Sequence, residues 1–229
     1  MIMNKSHMLN IVPTPIGNLE DITLRSLDTL KNSDYILCED TRVSKKLLNK
    51  YNIEVQLVSF HSFNEHKTVQ KHINQILDGK AVSLISDAGT PSISDPGFLI
   101  VRESIKNNIE INCLPGATAL IPAIVNSGLS SERFVFEGFL PTKKGRNKRI
   151  KNLVDEKRSI VIYESPKRIL KLINDLMGFL GEDRKASISR ELFKIYQENI
   201  RGTLKELYDK LENINIKGEF VIVIDGKKK

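Results

Sequence analysis

Ser86-Asp-Ala-Gly-Thr-Pro-Ser-Ile-Ser-Asp-Pro-Gly97 follows directly on an apolar run at residues 81–85. Small residues, two prolines and two aspartates cannot continue a strand. At the carboxyl end of one, they make a loop whose backbone can come close to a ligand. Two similar edges lie elsewhere: Val12-Pro-Thr-Pro-Ile-Gly-Asn18 after the first apolar run, and Leu114-Pro-Gly-Ala-Thr-Ala119 after the fifth. Three such edges on one sheet describe a cleft for a small molecule.

The runs at 9–12, 35–38, 55–59, 81–85 and 109–114 read as buried strands. Between them, helical stripes are spaced at Leu24, Leu27 and Leu30, at Leu47, Leu48 and Tyr51, at Val69, Ile73, Ile76 and Leu77, and at Ile100, Val101 and Ile105. Strand–helix alternation predicts an α/β fold with a mainly parallel sheet covered on both faces. A helix over 117–126 follows. The second half changes texture, with strands expected at 133–139, 159–163, 186–189 and 220–224. Residues 197–201 suit a short strand or a loop. Gly128-Leu-Ser-Ser131 is the expected joint, giving α/β domains over 9–130 and 131–226 with the ligand cleft between them.

Hydrophobic residues make up 40% of the 229 and charged residues 28%, with a net charge of +7. The chain is long enough for a large core. No apolar run approaches the roughly 20 residues needed to span a bilayer, and the first eight residues lack the apolar core of a secretory signal. Cys38 and Cys113 lie in apolar runs and are expected as two buried thiols of a cytoplasmic protein. Four histidines and two cysteines at no ligand-like spacing give no support for a metal. Six of the nine residues 143–151 are basic (Lys143, Lys144, Arg146, Lys148, Arg149, Lys151) and none is acidic. A run of this kind is either a solvated helix face or a phosphate-backbone contact. The lysines at 227–229 read as a disordered end.

The spacings G-x-G-x-x-G and G-x-x-x-x-G-K-[ST] are both absent, which weakens the case for a phosphate-cradling nucleotide enzyme. Ala88, Gly89, Thr90, Ile93, Thr118 and Ala119 instead offer small side chains, hydroxyls and backbone groups, suited to a ligand with an amino-acid end and a nucleoside end. Glu39-Asp-Thr-Arg42 follows the second strand. There Asp40 suits a helix N-cap as well as a catalytic role, and Arg42 suits a phosphate or an ion pair with Glu39 or Asp40. His61 can carry protons or make ordinary hydrogen bonds. Tyr163-Glu-Ser-Pro-Lys-Arg168 ends a strand and opens a helix, so that Arg168 can reach a phosphate.

With these residues in view, the chain resembles the tetrapyrrole methylase superfamily and, within it, the ribosomal RNA small-subunit methyltransferase I family. The resemblance runs from about Asn10 to Ile224. It is carried by Thr14-Pro-Ile-Gly-Asn18, Glu39-Asp-Thr-Arg42, residues 86–97, Pro115-Gly-Ala-Thr118, Gly138-Phe-Leu-Pro141 with Lys144-Gly-Arg146, Tyr163-Glu-Ser-Pro166, Arg190-Glu-Leu192 and Gly218-Glu-Phe220. It implies S-adenosylmethionine as methyl donor, no metal, and 2′-O-methylation of a cytidine in small-subunit rRNA. It also implies a homodimer whose partner is that RNA or the small ribosomal subunit, with no membrane. Pro15, Gly17, Asp87 and Ala88 through Thr90, with Ile93, Thr118 and Ala119, would then line the donor pocket, and Tyr163 and Glu164 would close it. Phe193 and Gln197 depart from the pattern, which has threonine and glutamate there.

Methyl transfer from an activated sulfonium needs chiefly positioning, helped by a base for the ribose hydroxyl. Asp40 is the expected base, with Arg42 on the adjacent phosphate. Lys143, Lys144, Arg146, Lys148, Arg149 and Arg168 are the expected RNA contacts. Two rivals remain open at this point, a methylase of a small tetrapyrrole and an RNA-binding module without catalysis.

Overall fold

Near-continuous apolar strands demand cover on both sides, and the first half of the chain supplies it. The computed structural model of the protein describes residues 7–213 and 215–228. In it, β1 (Met8–Ile11), β2 (Tyr35–Cys38), β3 (Gln56–Ser59), β4 (Val82–Leu84) and β5 (Glu110–Cys113) form one parallel sheet in the order β3-β2-β4-β1-β5. Successive residues alternate between faces. Ile36 and Cys38 pack with Leu30 of α1 (Leu24–Lys31) and with Leu47 and Leu48 of α2 (Thr41–Lys50). Tyr35 and Leu37 pack instead with Val69, Ile73 and Ile76 of α3 (Glu65–Leu77) and Ile100 of α4 (Phe98–Lys106). Because every crossover carries a helix over the sheet, all five carboxyl ends open at one edge, where the loops of interest emerge.

The second unit has its own mixed sheet. Its strands are β6 (Phe134–Phe139), β7 (Ser159–Glu164), β8 (Lys185–Arg190), β9 (Glu198–Thr203) and β10 (Phe220–Ile224), in the order β6-β7-β10-β8-β9. Only β6 and β7 run parallel; β10 is antiparallel to both β7 and β8. Ile160, Ile162, Ile222 and Ile224 face α7 (Ile169–Leu180) and α8 (Leu204–Glu212), while Val161, Val221 and Val223 face α5 (Leu120–Ser127) through Ala123 and Ile124. A short helix, α6 (Arg146–Asn152), joins the first of these cores through Ile150. The open reading of residues 197–201 resolves as strand β9.

The two units divide between Thr118 and Ala119, earlier than the joint expected at 128–131. The reason is packing, since α5 buries its apolar face on the valines of the second sheet. Cys38 is buried as expected, but Cys113 is exposed, because β5 is an edge strand. The tail also differs from expectation: Lys227 binds Asp155 at 2.6 Å and Lys228 lies 3.3 Å from Asp225, while Lys229 lies outside the described residues. Among the described residues no helix is long and apolar enough to cross a membrane.

Candidate functional site

The three loops that the sequence singles out leave neighbouring strands β4, β1 and β5, and they are tied to one another. The Thr14 and Gly89 backbones each donate a hydrogen bond to the other's carbonyl at 2.9 Å. Thr14 Oγ1 donates to Ser86 O, also at 2.9 Å, and is buried. Thr90 Oγ1 then donates to Ala117 O at 2.9 Å, joining the β4 loop to the β5 loop. Glycine is needed at two of these places. Gly89 has φ +84°, a conformation that side chains resist, and a Cβ on Gly116 would lie 2.5 Å from Pro13 Cβ.

Within this framework Pro15 is buried, Thr118 half-buried, and Gly17 and Ala88 exposed, while Ile93 keeps 38% of its surface open. The rim thus offers small groups, backbone and one aliphatic side chain. Ala119 starts the second unit, at the N-cap of α5.

Beside these loops, a recess of about 420 Å³ opens at the ends of β2 and β3, lined by Glu39, Asp40, Arg42, His61 and Asp87. Asp40 is the N-cap of α2, accepting the Arg42 backbone N–H at 2.8 Å. The Arg42 guanidinium also grips it, with Nη2 2.6 Å from Oδ2. These bonds to Arg42 hold its carboxyl down at about 2, so it accepts protons poorly. Asp40, expected as the base, and Arg42, expected on the adjacent phosphate, are thus paired with each other, with the Arg42 side chain 88% exposed. His61 makes ordinary hydrogen bonds, its backbone N–H donating to Asn64 and its Nδ1 accepting from the Phe63 N–H.

Glu39, one residue earlier, differs. It is half-buried, and its carboxyl is pushed up by burial first and then by Asp87 and Asp40, with His61 opposing. Asp87 is raised too, chiefly by burial, against a 3.1 Å bond from the Asp40 N–H. The motif containing Glu39 is plain in the sequence. The contrast between adjacent carboxylates is not, since it arises from the Arg42 guanidinium and backbone N–H, which bond only Asp40, and from the burial of Glu39.

In the second unit Tyr163 packs edge-on against Phe136 and Phe139, with ring centroids 4.9 and 5.7 Å apart. Glu164 is wholly buried. Its Oε1 accepts from Arg168 at 2.6 Å and from the Ser165 N–H at 2.8 Å. Arg146 is only 4% exposed. Its Nε donates to Asp175 at 2.8 Å and its Nη1 to Pro141 O at 3.3 Å, with Glu164 Oε2 3.7 Å away. Arg146 is thereby too buried for the RNA contact expected of it, while Glu164 joins its ion-pair cluster and Arg168 pairs with Glu164, its own side chain 28% exposed. Burial accounts for all three, since a charge removed from water must be paired. Lys143, Lys144 and Lys148 remain exposed; Arg149 pairs with Glu137 at 2.5 Å. Gln197 has a visible task, accepting the Phe193 N–H at 2.6 Å. Among the described residues no group of three or more His, Cys, Asp or Glu is placed to hold a metal ion.

The architecture is that of the tetrapyrrole (corrin/porphyrin) methylases, whose family model matches residues 8–208. Solved structures agree on the fold. A diphthine synthase superposes with a TM-score of 0.72 at 14% identity, covering 96% of this chain and 90% of its own. A cobalt precorrin-4 methyltransferase gives 0.70 at 18%, covering 98% of each.

Closer in sequence, a protein of Thermotoga maritima named ribosomal RNA small subunit methyltransferase I is 44% identical over 96% of this chain and 99% of its own length. The Bacillus subtilis protein of the same name is 43% identical over 96% of this chain and 75% of its own. The chain belongs to the ribosomal RNA small subunit methyltransferase I family of the tetrapyrrole methylases.

Proposed function

We propose that the protein transfers the methyl group of S-adenosylmethionine to the 2′-hydroxyl of a cytidine ribose in small-subunit ribosomal RNA. The observation that carries the reading is the three-loop framework pinned at Thr14–Gly89 and Thr90–Ala117, in a chain with a full-length relative named for rRNA methylation. A solved uroporphyrin-III C-methyltransferase of Thermus thermophilus, of the same fold with a TM-score of 0.65, holds S-adenyl homocysteine. The chain's own loops suit such a donor: small side chains let it approach the backbone, and Asp87 and Glu39 place negative charge beside them to favour a sulfonium cation.

In the reaction a carbon–oxygen bond forms as the carbon–sulfur bond breaks, its electron pair passing to sulfur. The hydroxyl proton leaves to a base. Glu39 is the base in this reading, because its carboxylate is more basic than Asp40's and receives no hydrogen bond among the described residues. Lys143, Lys144 and Lys148 bind RNA phosphates, and a homodimer would bring two such lysine groups to one substrate. The partner is the small-subunit RNA, free or assembled.

The test is transfer of labelled methyl to small subunits lacking the modification, followed by alkaline hydrolysis. Label in an alkali-resistant dinucleotide whose 5′ residue is the methylated cytidine supports the reading. Donor binding with label only in tetrapyrrole acceptors overturns it.

A further inference from the structure

Of the six cations in the run 143–151, one points inward. Helix α6 has seven residues and is preceded at its N-cap by Gly145, which supplies no side-chain cap. A helix so short does not hold itself together in water. Its inward face consists of Arg146 and Ile150, one turn apart, both buried. The placement of the whole basic segment therefore depends on how those two are held. Ile150 sits in the apolar core, and a greasy contact of that kind specifies position loosely. Arg146 is held directionally. Its fork reaches Asp175 on α7 and the Pro141 carbonyl before the helix, and it faces Glu164 at the end of β7. Glu164 in turn holds Arg168 at the start of α7. Arg146 and Arg168 balance Glu164 and Asp175, so the cluster is electrically neutral. Buried ion pairs of this type add little net stability over an apolar replacement; what they can add is one preferred arrangement.

We infer that Arg146 is a positioning residue, whose buried guanidinium, bound to Asp175 and Pro141 and facing Glu164, sets where Lys143, Lys144 and Lys148 stand for the substrate. The inference rests on the proposed RNA function only for its purpose; the anchoring itself is testable without RNA. It also assigns Asp175, on a different helix, the same task. A lysine at 146 keeps the charge but cannot reproduce a planar fork with several fixed donors.

Two variants decide the matter, Arg146→Lys and Asp175→Asn, each first checked for folding by circular dichroism. Asp175→Asn is isosteric and serves alone if Arg146→Lys does not fold. The first measurement is limited trypsin cleavage of the full chain. Anchoring predicts cleavage within 143–151 faster by about ten-fold or more, from the loss of a charged hydrogen bond, with other sites unchanged. Unchanged cleavage in that segment overturns the inference.

The second measurement is affinity for small ribosomal subunits. Asp175→Asn removes a negative charge, so a purely electrostatic contribution would tighten RNA binding. Positioning requires the opposite, weaker binding in both variants. Tighter binding by Asp175→Asn, or unchanged binding by Arg146→Lys, overturns the inference. A wild-type protein that does not bind subunits at all overturns the functional reading instead, and the cleavage result still decides the anchoring.

Discussion

Thr14 and Gly89, which belong to loops leaving adjacent strands, exchange two backbone hydrogen bonds of 2.9 Å each. The exchange makes the β1 and β4 loops one unit, and the Thr90–Ala117 bond adds the third loop to it. A ligand resting on these loops meets a surface organised before it arrives, which reduces the ordering cost of binding.

Gly116→Ala tests that organisation. Its new Cβ would lie 2.5 Å from Pro13 Cβ, so the loops must separate. Overpacking of this kind costs about 1–3 kcal/mol, read by denaturant unfolding. Affinity for S-adenosylmethionine, measured by calorimetry, is expected to fall with it. Unchanged donor affinity would detach this loop from the donor.

Glu39 and Asp40 should behave oppositely. Glu39→Gln is expected to lower kcat by roughly 10²–10⁴, the usual contribution of a general base, with donor binding retained. Asp40→Asn keeps a capping oxygen and should leave kcat within a few-fold of wild type. Single-turnover methylation of small subunits separates the two, and equal losses in both variants would remove Glu39 from the base role.

The pH dependence follows from the direction of the Glu39 shift. Burial raises its pKa, so the base is lost to protonation at a higher pH than an ordinary glutamate would be. The acidic limb of kcat against pH should lie above 4.5, the ordinary glutamate value, and vanish in Glu39→Gln.

Stability at low pH is governed by groups shifted the other way. Arg158 holds the Glu156 carboxyl down, from the ordinary 4.5 to about 2. A depressed folded-state pKa stabilises above the unfolded value and stops doing so as pH falls toward the folded one. The difference in Tm between wild type and Glu156→Gln should therefore shrink between pH 4.5 and 2. The exposed position of the pair makes the effect small.

Lys144→Ala and Lys148→Ala are each expected to lower the slope of log affinity against log salt by about 0.7–0.9. Arg149→Ala should lower it less, because Glu137 already neutralises that guanidinium. Filter binding to small subunits over a salt series gives the slopes.

The first sheet was readable because each strand is a short apolar block set off by loops rich in glycine and proline, and the alternation with helices leaves few arrangements. The three loops were readable for the same reason. Arg146 was not: within a run of six cations, nothing local tells which one faces Asp175, a residue 29 positions away in sequence. The place where the two units divide is not legible locally either, because α5 lies next in sequence to the first sheet, while its partners Val161, Val221 and Val223 come later. The task of Gln197 was equally hidden, since a glutamine at a loop end carries no sign that it will accept the Phe193 N–H.

The strand order of the first sheet also governs how the nascent chain matures. Strand β1 is made first, yet it pairs only with β4 and β5, as in Asn10 beside Ser83 and Asn112. About 70 further residues must leave the ribosome, at roughly 5–20 residues per second, before β1 meets its first neighbour, β4, and about 100 before β5 covers its other side. The loop after β5 is therefore among the last parts of the first half to assemble, and a chain stalled before Ala117 would carry β1 and β4 but lack the acceptor for Thr90.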